Sequence, residues 1–162
     1  MKAFILSLLF ISSLSAFAES KLTLNVGLNP AGSFQANTEK VKGNIIKNKD
    51  GSFKAGKISV LISSLKTGID LRDEHLWKHL KYDLFPKATL SDIQGKNGKA
   101  TGNLEIGGIK KSVVIEYLEK DNSIFAKFNV KASDYKLPSA KYLGVGVEND
   151  VQGEVVLPYK TI

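Results

Sequence analysis

The stretch from residue 63 to residue 91 reads SSLKTGIDLRDEHLWKHLKYDLFPKATLS. It contains the only tryptophan, the only arginine and both histidines of the chain. Stepping about 100° per residue from Leu71 places Leu76, Trp77, Leu80 and Leu84 within an arc about 100° wide. This spacing predicts one amphipathic helix of about three turns, inserted between strands, whose apolar stripe closes over the apolar face of those strands.

The ends of this helix are also indicated by the sequence. Asp70 can cap the first turn, and Asp73, three residues later, is placed to reach back as in a capping box. Asp73 also falls inside the apolar stripe, so it is predicted to be either that cap or a buried acid with a partner. Phe85 and Pro86 end the helix, because proline disfavours helical geometry in the residue before it.

Most of the remaining chain has the periodicity of β-strands. The clearest strand places Ile124, Ala126, Phe128 and Val130 on one face, and such alternation is typical of a half-buried strand. Another strand is predicted over residues 41–47. Roughly eight strands at short, regular spacing, joined mostly by hairpins, predict an all-β fold, either a sandwich or a closed antiparallel barrel. A barrel leaves no sheet edge exposed, and eight strands can enclose side chains or one small ligand.

The N-terminal residues have the pattern of a secretory signal peptide. Met1 and Lys2 precede an apolar run, and Ala16, Phe17 and Ala18 resemble a cleavage site. The run is shorter than the ~20 apolar residues that a membrane-spanning helix needs. We therefore expect residues 1–18 to be removed and residues 19–162 to form one domain that is periplasmic or secreted.

Composition excludes several classes of function. The chain has no cysteine, which excludes disulfides, a thiol nucleophile and thiolate metal ligands. Its formal net charge is +7, yet all but one of its 23 cationic residues are lysines spread along the chain. With no recognition motif and no arginine cluster, this pattern does not favour nucleic-acid binding. It is typical of a lysine-rich soluble surface, with transient attraction to anionic membranes or amphiphiles.

The sequence carries no enzyme motif such as a Gly-x-Ser-x-Gly elbow, a P-loop or a dinucleotide fingerprint. The strongest metal signal is the pair His75 and His79, which have the spacing of two zinc ligands on a helix. Leu76 stands where a zincin has its glutamate, and both histidines fall outside the apolar stripe. Solvent-facing histidines are therefore the favoured interpretation, and a metal-dependent enzyme that uses this pair is the alternative.

Six blocks of the chain, in order, resemble motifs of the YceI-like family, secreted lipocalin-like barrels that bind polyisoprenoids. The blocks are residues 64–68 (SLKTG), 71–76 (LRDEHL), 85–88 (FPKA), 102–108 (GNLEIGG), 132–135 (ASDY) and 147–151 (VENDV). Residues 29–33 read Asn-Pro-Ala-Gly-Ser, where many members have Asp-Pro-x-His-Ser. The histidine of that motif, and any contact it makes to a ligand, therefore does not carry over.

The resemblance implies an eight-stranded antiparallel lipocalin-like barrel with one inserted amphipathic helix. It also implies a non-catalytic carrier for a polyisoprenoid-type lipid, either a polyprenyl chain or an isoprenoid quinone, with no catalytic residues, metal or other cofactor. Arg72 is a candidate contact for the lipid head group, or it pairs with Asp70 or Asp73. The candidate cavity residues come from the helical insert and from the inward strand faces: Leu76, Trp77, Leu80 and Phe85, and Ile106, Ile115, Phe128 and Val130.

A further alternative is a barrel filled by its own side chains, acting as an envelope stress or interaction protein with no small ligand. An eight-stranded barrel is close to the size at which side chains alone can fill the interior. The inward faces of the strands therefore decide between a carrier and a solid-cored protein.

Overall fold

The computed structural model describes residues 19–162, so the predicted signal peptide lies outside the described residues. The described chain forms eleven strands, one α-helix and two 3₁₀ turns. They are β1 (Lys21–Asn29), β2 (Ser33–Thr38), β3 (Val41–Lys42), β4 (Ile45–Lys47), β5 (Phe53–Leu61), the 3₁₀ turn Ile62–Ser64, α1 (Asp70–His79), β6 (Lys87–Lys96), β7 (Lys99–Ile106), β8 (Ile109–Lys120), β9 (Ser123–Lys131), the 3₁₀ turn Ala132–Tyr135, β10 (Lys141–Tyr142) and β11 (Val145–Thr161).

The strands form one closed barrel. Strands β5 to β9 pair in sequence as antiparallel neighbours, and β9 pairs with the long β11. On its other side β11 pairs with β1 and, in parallel, with the short β4, which in turn pairs with β5. The prediction of an all-β barrel with one inserted helix is confirmed. Eight of the eleven described strands have six residues or more, and the β4–β11 pair is the departure from a purely antiparallel sheet.

The structure differs from the predicted strands at β2 and at Gly43. Strand β2 was not predicted, because its sequence SFQANT is rich in polar residues of low strand propensity. The strand predicted over residues 41–47 is interrupted at Gly43, whose φ is +151°. A Cβ there would lie 2.7 Å from the carbonyl oxygen of Lys57, so the close approach of the β5 backbone requires glycine at this position.

The inward faces of the strands follow the predicted alternation. Along β9 the residues Ile124 and Ala126 are buried, and Phe128 and Val130 are half-buried. The residues between them are exposed, namely Phe125, Lys127 and Asn129. On β8 the inward positions are likewise the buried ones. Because side chains on a strand alternate with a period of two, one apolar face per strand is enough to give the barrel an apolar interior.

The two ends of the barrel are different. The turns β4–β5, β6–β7 and β8–β9 lie at one end, which we call the closed end. At the other end, which we call the mouth, lie helix α1, the β7–β8 turn, the 3₁₀ turn Ala132–Tyr135 and the β10–β11 hairpin. Helix α1 is inserted between β5 and β6, so both of its connections reach it from the mouth.

Aromatic side chains fill the closed end. The ring of Phe53 makes edge contacts with Tyr117 and Tyr159, at centroid distances of 5.5 and 5.1 Å. The Lys47 ammonium lies 5.5 Å from the ring centroids of Phe53 and Tyr159 and forms an ion pair with Glu119, which also accepts a hydrogen bond from the Tyr159 hydroxyl. Lys47, Glu119 and the Tyr159 hydroxyl therefore each have a partner.

Candidate functional site

A cavity of about 980 Å³ occupies the mouth half of the barrel. Ten of the eleven described strands contribute to its wall, and most of the lining side chains are aliphatic or aromatic. It opens to solvent, since Leu71 of helix α1 and Leu143 of the β10–β11 hairpin both line it and are 56 and 86 % exposed. A smaller pocket of about 70 Å³ lies towards Phe53 and Tyr117. The interior is therefore open at the mouth.

Seven of the nine candidate cavity residues lie on the wall of this cavity. Helix α1 and the residue that follows it supply three of them, and strands β7, β8 and β9 supply the other four. These seven are Arg72, Leu76, Leu80, Ile106, Ile115, Phe128 and Val130.

The other two candidates, Trp77 and Phe85, are not among the lining residues that the structure describes. The predicted helix ran to Phe85, but α1 ends at His79, and Lys81 adopts a left-handed conformation with φ of +58°. Residues beyond that point leave the helical period, and Leu84 is 76 % exposed. The ring of Phe85 lies instead over Gly108, where a Cβ would be only 2.6 Å from it.

Trp77 attaches the helix to the residues that precede it. Its indole Nε1–H donates to the carbonyl oxygen of Leu65 at 2.9 Å, and the Lys66 ammonium lies 4.6 Å from its ring centroid. Leu65 and Lys66 belong to residues 65–67, which we call the anchor segment. Lys66 also forms two backbone hydrogen bonds with Asn37 of β2, of 2.8 and 2.9 Å, so the anchor segment joins the helix to the barrel.

Asp73 is the centre of this attachment, and its side chain is 2 % exposed. Its carboxylate accepts hydrogen bonds from the Thr67 backbone N–H at 2.7 Å and from the Thr67 hydroxyl at 2.6 Å, and it lies 3.3 Å from the Lys66 ammonium. The prediction of a buried acid with a partner is confirmed. The capping box is wrong, because Ile69 is the N-cap residue and makes no side-chain cap hydrogen bond.

The ionisation of Asp73 follows from these contacts. Burial alone would raise the pKa of its carboxyl group, because the charged form is desolvated. The hydrogen bonds from Thr67 and the ion pair with Lys66 act in the opposite direction and leave the pKa below its usual value. Asp73 is therefore a carboxylate at neutral pH, and it holds the first turn of α1 on the anchor segment.

Arg72 lies on the cavity wall, half-buried. Its Nη2 donates to the Thr67 carbonyl oxygen at 2.8 Å, and its guanidinium carbon lies 4.6 Å from the ring centroid of Phe34. Among the described ion pairs, none joins it to Asp70 or Asp73, so the predicted pairing is wrong. The Asp73 carboxylate does not pair with Arg72 because it already accepts hydrogen bonds from Thr67 and forms an ion pair with Lys66.

Both histidines line the cavity as well, and only His79 departs from the solvent-facing orientation favoured by the sequence. His75 is exposed at the opening and His79 is half-buried. Burial, with a smaller contribution from the Lys81 ammonium, lowers the pKa of His79. Within residues 19–162, no group of three or more His, Cys, Asp or Glu side chains is placed to hold a metal ion.

The part of the wall that lies between β9 and β11 was not predicted from the sequence. Five apolar residues of this region line the cavity, and no strand was predicted for them. They are Tyr135, Leu137, Pro138, Ala140 and Leu143. Their apolar character, in a segment with no predicted strand of its own, was the available signal.

In the described residues, no helix is both long enough and apolar enough to cross a bilayer.

Comparison with known proteins supports this architecture. The family model of the YceI-like domain matches residues 15–157, and no curated protein matches the chain. The crystal structure of Burkholderia cenocepacia BcnA is 16 % identical, with 87 % of this chain and 96 % of that chain covered and a TM-score of 0.66. A polyisoprenoid binding domain from Saccharophagus degradans, described as implicated in plant cell wall breakdown, is 15 % identical, with 85 and 91 % covered and a TM-score of 0.59.

A mutant CJ YCEI protein with a monobromobimane guest is also similar, at 23 % identity with 77 % of this chain and 84 % of that chain covered and a TM-score of 0.53. At these identities the likeness shows a shared fold. All three alignments span most of both chains, so the shared fold includes the barrel as a whole.

Proposed function

The chain belongs to the YceI-like domain family, and on that premise we propose that it is a non-catalytic carrier of a polyisoprenoid-type lipid in the bacterial periplasm. The ligand class is a polyprenyl chain or an isoprenoid quinone. The observation that carries this proposal is the apolar cavity of about 980 Å³ at the mouth of the barrel. The description of one structural neighbour as a polyisoprenoid binding domain agrees with it.

Exposing such a lipid to water has a high free-energy cost. Each isoprene unit has five carbons, so leaving one unit in water costs about 4 kcal/mol at ~0.8 kcal/mol per carbon group. A bare chain of several units therefore does not cross an aqueous compartment at a useful concentration. The cavity volume lies near the upper end of the range for small-molecule sites, about 300–1,000 Å³, and the apolar wall can replace the bilayer interior.

The open interior argues against a solid-cored protein without a ligand. The walls are apolar over most of their area, and the charged side chains of the lining are confined to helix α1 and the segment from Lys141 to Glu148. Lys78, Lys141 and Glu148 are all exposed, which places them at the opening. This distribution suits an amphiphile whose chain is buried and whose polar end stays near the mouth.

The carrier role is tested by filling the cavity at one of two adjacent positions on β8. Val113 is buried and lines the cavity, whereas Val114 points outward and is 64 % exposed. After removal of bound lipid, we expect polyprenols and isoprenoid quinones to bind the wild type, Val113→Trp to weaken binding about tenfold or more, and Val114→Trp to leave binding unchanged. Equal affinity of the two variants, with both folded, would contradict binding in the cavity.

We further propose that the mouth contacts an anionic membrane surface when lipid is exchanged. Ile69, Leu71 and Leu143 line the cavity and are more than half exposed, and Lys78 and Lys141 lie beside them. Apolar residues flanked by lysines suit a surface that offers both acyl chains and negative charge. The net charge of +7 also favours approach to such a surface.

Vesicle sedimentation tests this contact. We expect the protein to bind vesicles that contain phosphatidylglycerol and not vesicles of phosphatidylcholine alone, with binding weakened at high salt. Leu143→Asp should reduce binding severalfold, whereas Leu118→Asp, at a 75 % exposed outward position on β8 near the closed end, should not. An equal effect of the two substitutions, or no preference for anionic vesicles, would refute the proposed contact.

A further inference from the structure

The interior of the barrel contains two unequal spaces, the cavity of about 980 Å³ at the mouth and the pocket of about 70 Å³ towards the closed end. The residues that line both spaces lie at the boundary between them, and they come from strands β5, β6, β8, β9 and β11. These residues, which we call the boundary residues, are Ile58, Leu90, Ile115, Phe128, Val155 and Leu157. Their side chains therefore limit how deeply a chain that enters at the mouth can reach.

Phe128 has the largest side chain among the boundary residues, since the others are aliphatic. Its ring lies over its register partner on β11, Gly153, where a Cβ would be only 2.2 Å from the ring. A larger residue at that position would collide with the ring, so glycine leaves the space that the ring occupies. Phe128 is half-buried although it faces inward, which means that part of its surface borders the open interior.

The pocket beyond the boundary residues could also hold part of an apolar chain. Its described wall is apolar apart from Lys54, and it includes the rings of Phe53 and Tyr117. Two small residues, Ala100 and Ala126, are buried and line this pocket, and they are not among the described residues that line the cavity at the mouth. A lipid tail that passed Phe128 would therefore remain in apolar surroundings.

We propose that Phe128 sets the longest isoprenoid chain that the barrel can bury, because its ring ends the space available to the lipid tail. This rests on the carrier function proposed above and assigns its chain-length specificity to one residue. Units beyond that limit stay at the mouth in water, so affinity stops rising with chain length once the space above the ring is filled. The phenyl ring has six carbons and an isoprene unit has five, so removing the ring frees about the space of one unit.

The experiment uses polyprenols from farnesol upward, each one isoprene unit longer than the last. Delipidated protein is mixed with equal amounts of these probes, and native mass spectrometry gives their relative affinities. For the wild type we expect affinity to rise with each added unit and then to level off. In Phe128→Ala the levelling-off should move to chains at least one unit longer, and the first chain beyond the wild-type limit should gain about tenfold over the chain at that limit. Phe125→Ala, at an outward position on the same strand, should leave the limit unchanged.

A second substitution tests whether the longer chain enters the smaller pocket. Ala126→Leu added to Phe128→Ala refills that space from the neighbouring inward position of β9, so the limit should return to that of the wild type. Urea unfolding shows whether each variant is folded, and Phe128→Leu replaces Phe128→Ala should the latter not fold, with a smaller shift expected.

The outcomes separate this proposal from the function on which it rests. An affinity that does not level off in the wild type, or a limit that is the same in wild type and folded Phe128→Ala, refutes the role of Phe128. A shift that persists when Ala126→Leu is added, or that Phe125→Ala also produces, refutes it as well. If no polyprenol binds the wild type at any length, it is the carrier function that fails.

Discussion

The closed end and the mouth of this barrel are made of the same alternating strands, and they differ in the side chains that face inward. At the closed end the ring of Phe53 meets those of Tyr117 and Tyr159 edge to face, and the pocket beside them is only about 70 Å³. At the mouth the inward residues are mainly aliphatic and leave about 980 Å³ unfilled. Aromatic packing therefore closes one end of the barrel, whereas the other end keeps an open apolar cavity.

The polar groups of the two ends show the same division. At the closed end, Lys47, Glu119 and the Tyr159 hydroxyl are partners of one another. At the mouth, Arg72 Nε and the Tyr135 hydroxyl are buried without a partner among the described residues. Buried polar groups are normally paired. The three groups at the closed end follow this rule, and the two atoms at the mouth depart from it.

The largest expected effect comes from truncating one phenylalanine at each end. Phe53→Ala should lower the free energy of unfolding by about 3–5 kcal/mol, because it opens a cavity in a closely packed cluster. Phe34→Ala should cost only about 1–2 kcal/mol, because that half-buried ring faces the existing cavity and the Arg72 guanidinium. Urea unfolding of both variants measures the difference; similar losses would show that the two ends are equally packed.

A smaller effect is expected where the helix is attached at the mouth. Asp73→Ala should cost about 2–3 kcal/mol, because it removes charge-assisted hydrogen bonds from Thr67. The attachment of the helix to the anchor segment is then weakened, since of the described hydrogen bonds only those of Arg72 and Trp77 remain, so we expect lipid to be released faster. Stopped-flow transfer of a fluorescent isoprenoid to vesicles measures that rate, and a rate equal to that of the wild type would contradict a holding role for Asp73.

The pH dependence of stability tests the same carboxylate. Because the pKa of folded Asp73 lies below its ordinary value of 3.8, the carboxylate stabilises the fold fully above that value. Its contribution is lost as the pH falls through the lower, folded pKa. The advantage of the wild type over Asp73→Asn should therefore be constant near neutral pH and should shrink below about pH 4. A difference that does not change with pH would contradict this assignment.

The smallest effect is expected at Trp77. Trp77→Phe removes the hydrogen bond to the Leu65 carbonyl oxygen and should cost about 1 kcal/mol. The affinity for lipid should be nearly unchanged, because Trp77 is not part of the described cavity wall. Leu76→Ala, one residue earlier and on the wall, is the matched variant in which we expect affinity to fall. The reverse result would show that the indole faces the ligand.

The barrel could be predicted from the sequence because burial repeats with a period of two along each strand, as in β9. The helix could be predicted because its apolar residues recur at helical spacing. The predictions that failed depend on single backbone conformations, namely the interruption at Gly43 and the left-handed Lys81 that follows the end of α1 at His79. A pattern of hydrophobic residues does not predict where another backbone approaches closely or where a residue adopts a left-handed conformation.

The site was predictable to the extent that it follows from the faces of regular elements. Ile106, Ile115, Phe128 and Val130 lie on the cavity wall because the alternation of their strands continues without interruption. The partner of Asp73 and the orientation of Trp77 depend on the anchor segment, which has no periodicity. Tyr135 lies in a short 3₁₀ turn, so its burial depends on tertiary packing alone.

The most direct test of an interior left free for lipid is native mass spectrometry of the protein purified from its own host without detergent. We expect one isoprenoid adduct per chain, released by organic extraction and identified in the extract. The adduct should be depleted in Val113→Trp and retained in Val114→Trp. A protein that carries no adduct, and that binds no added isoprenoid afterwards, would contradict the carrier role.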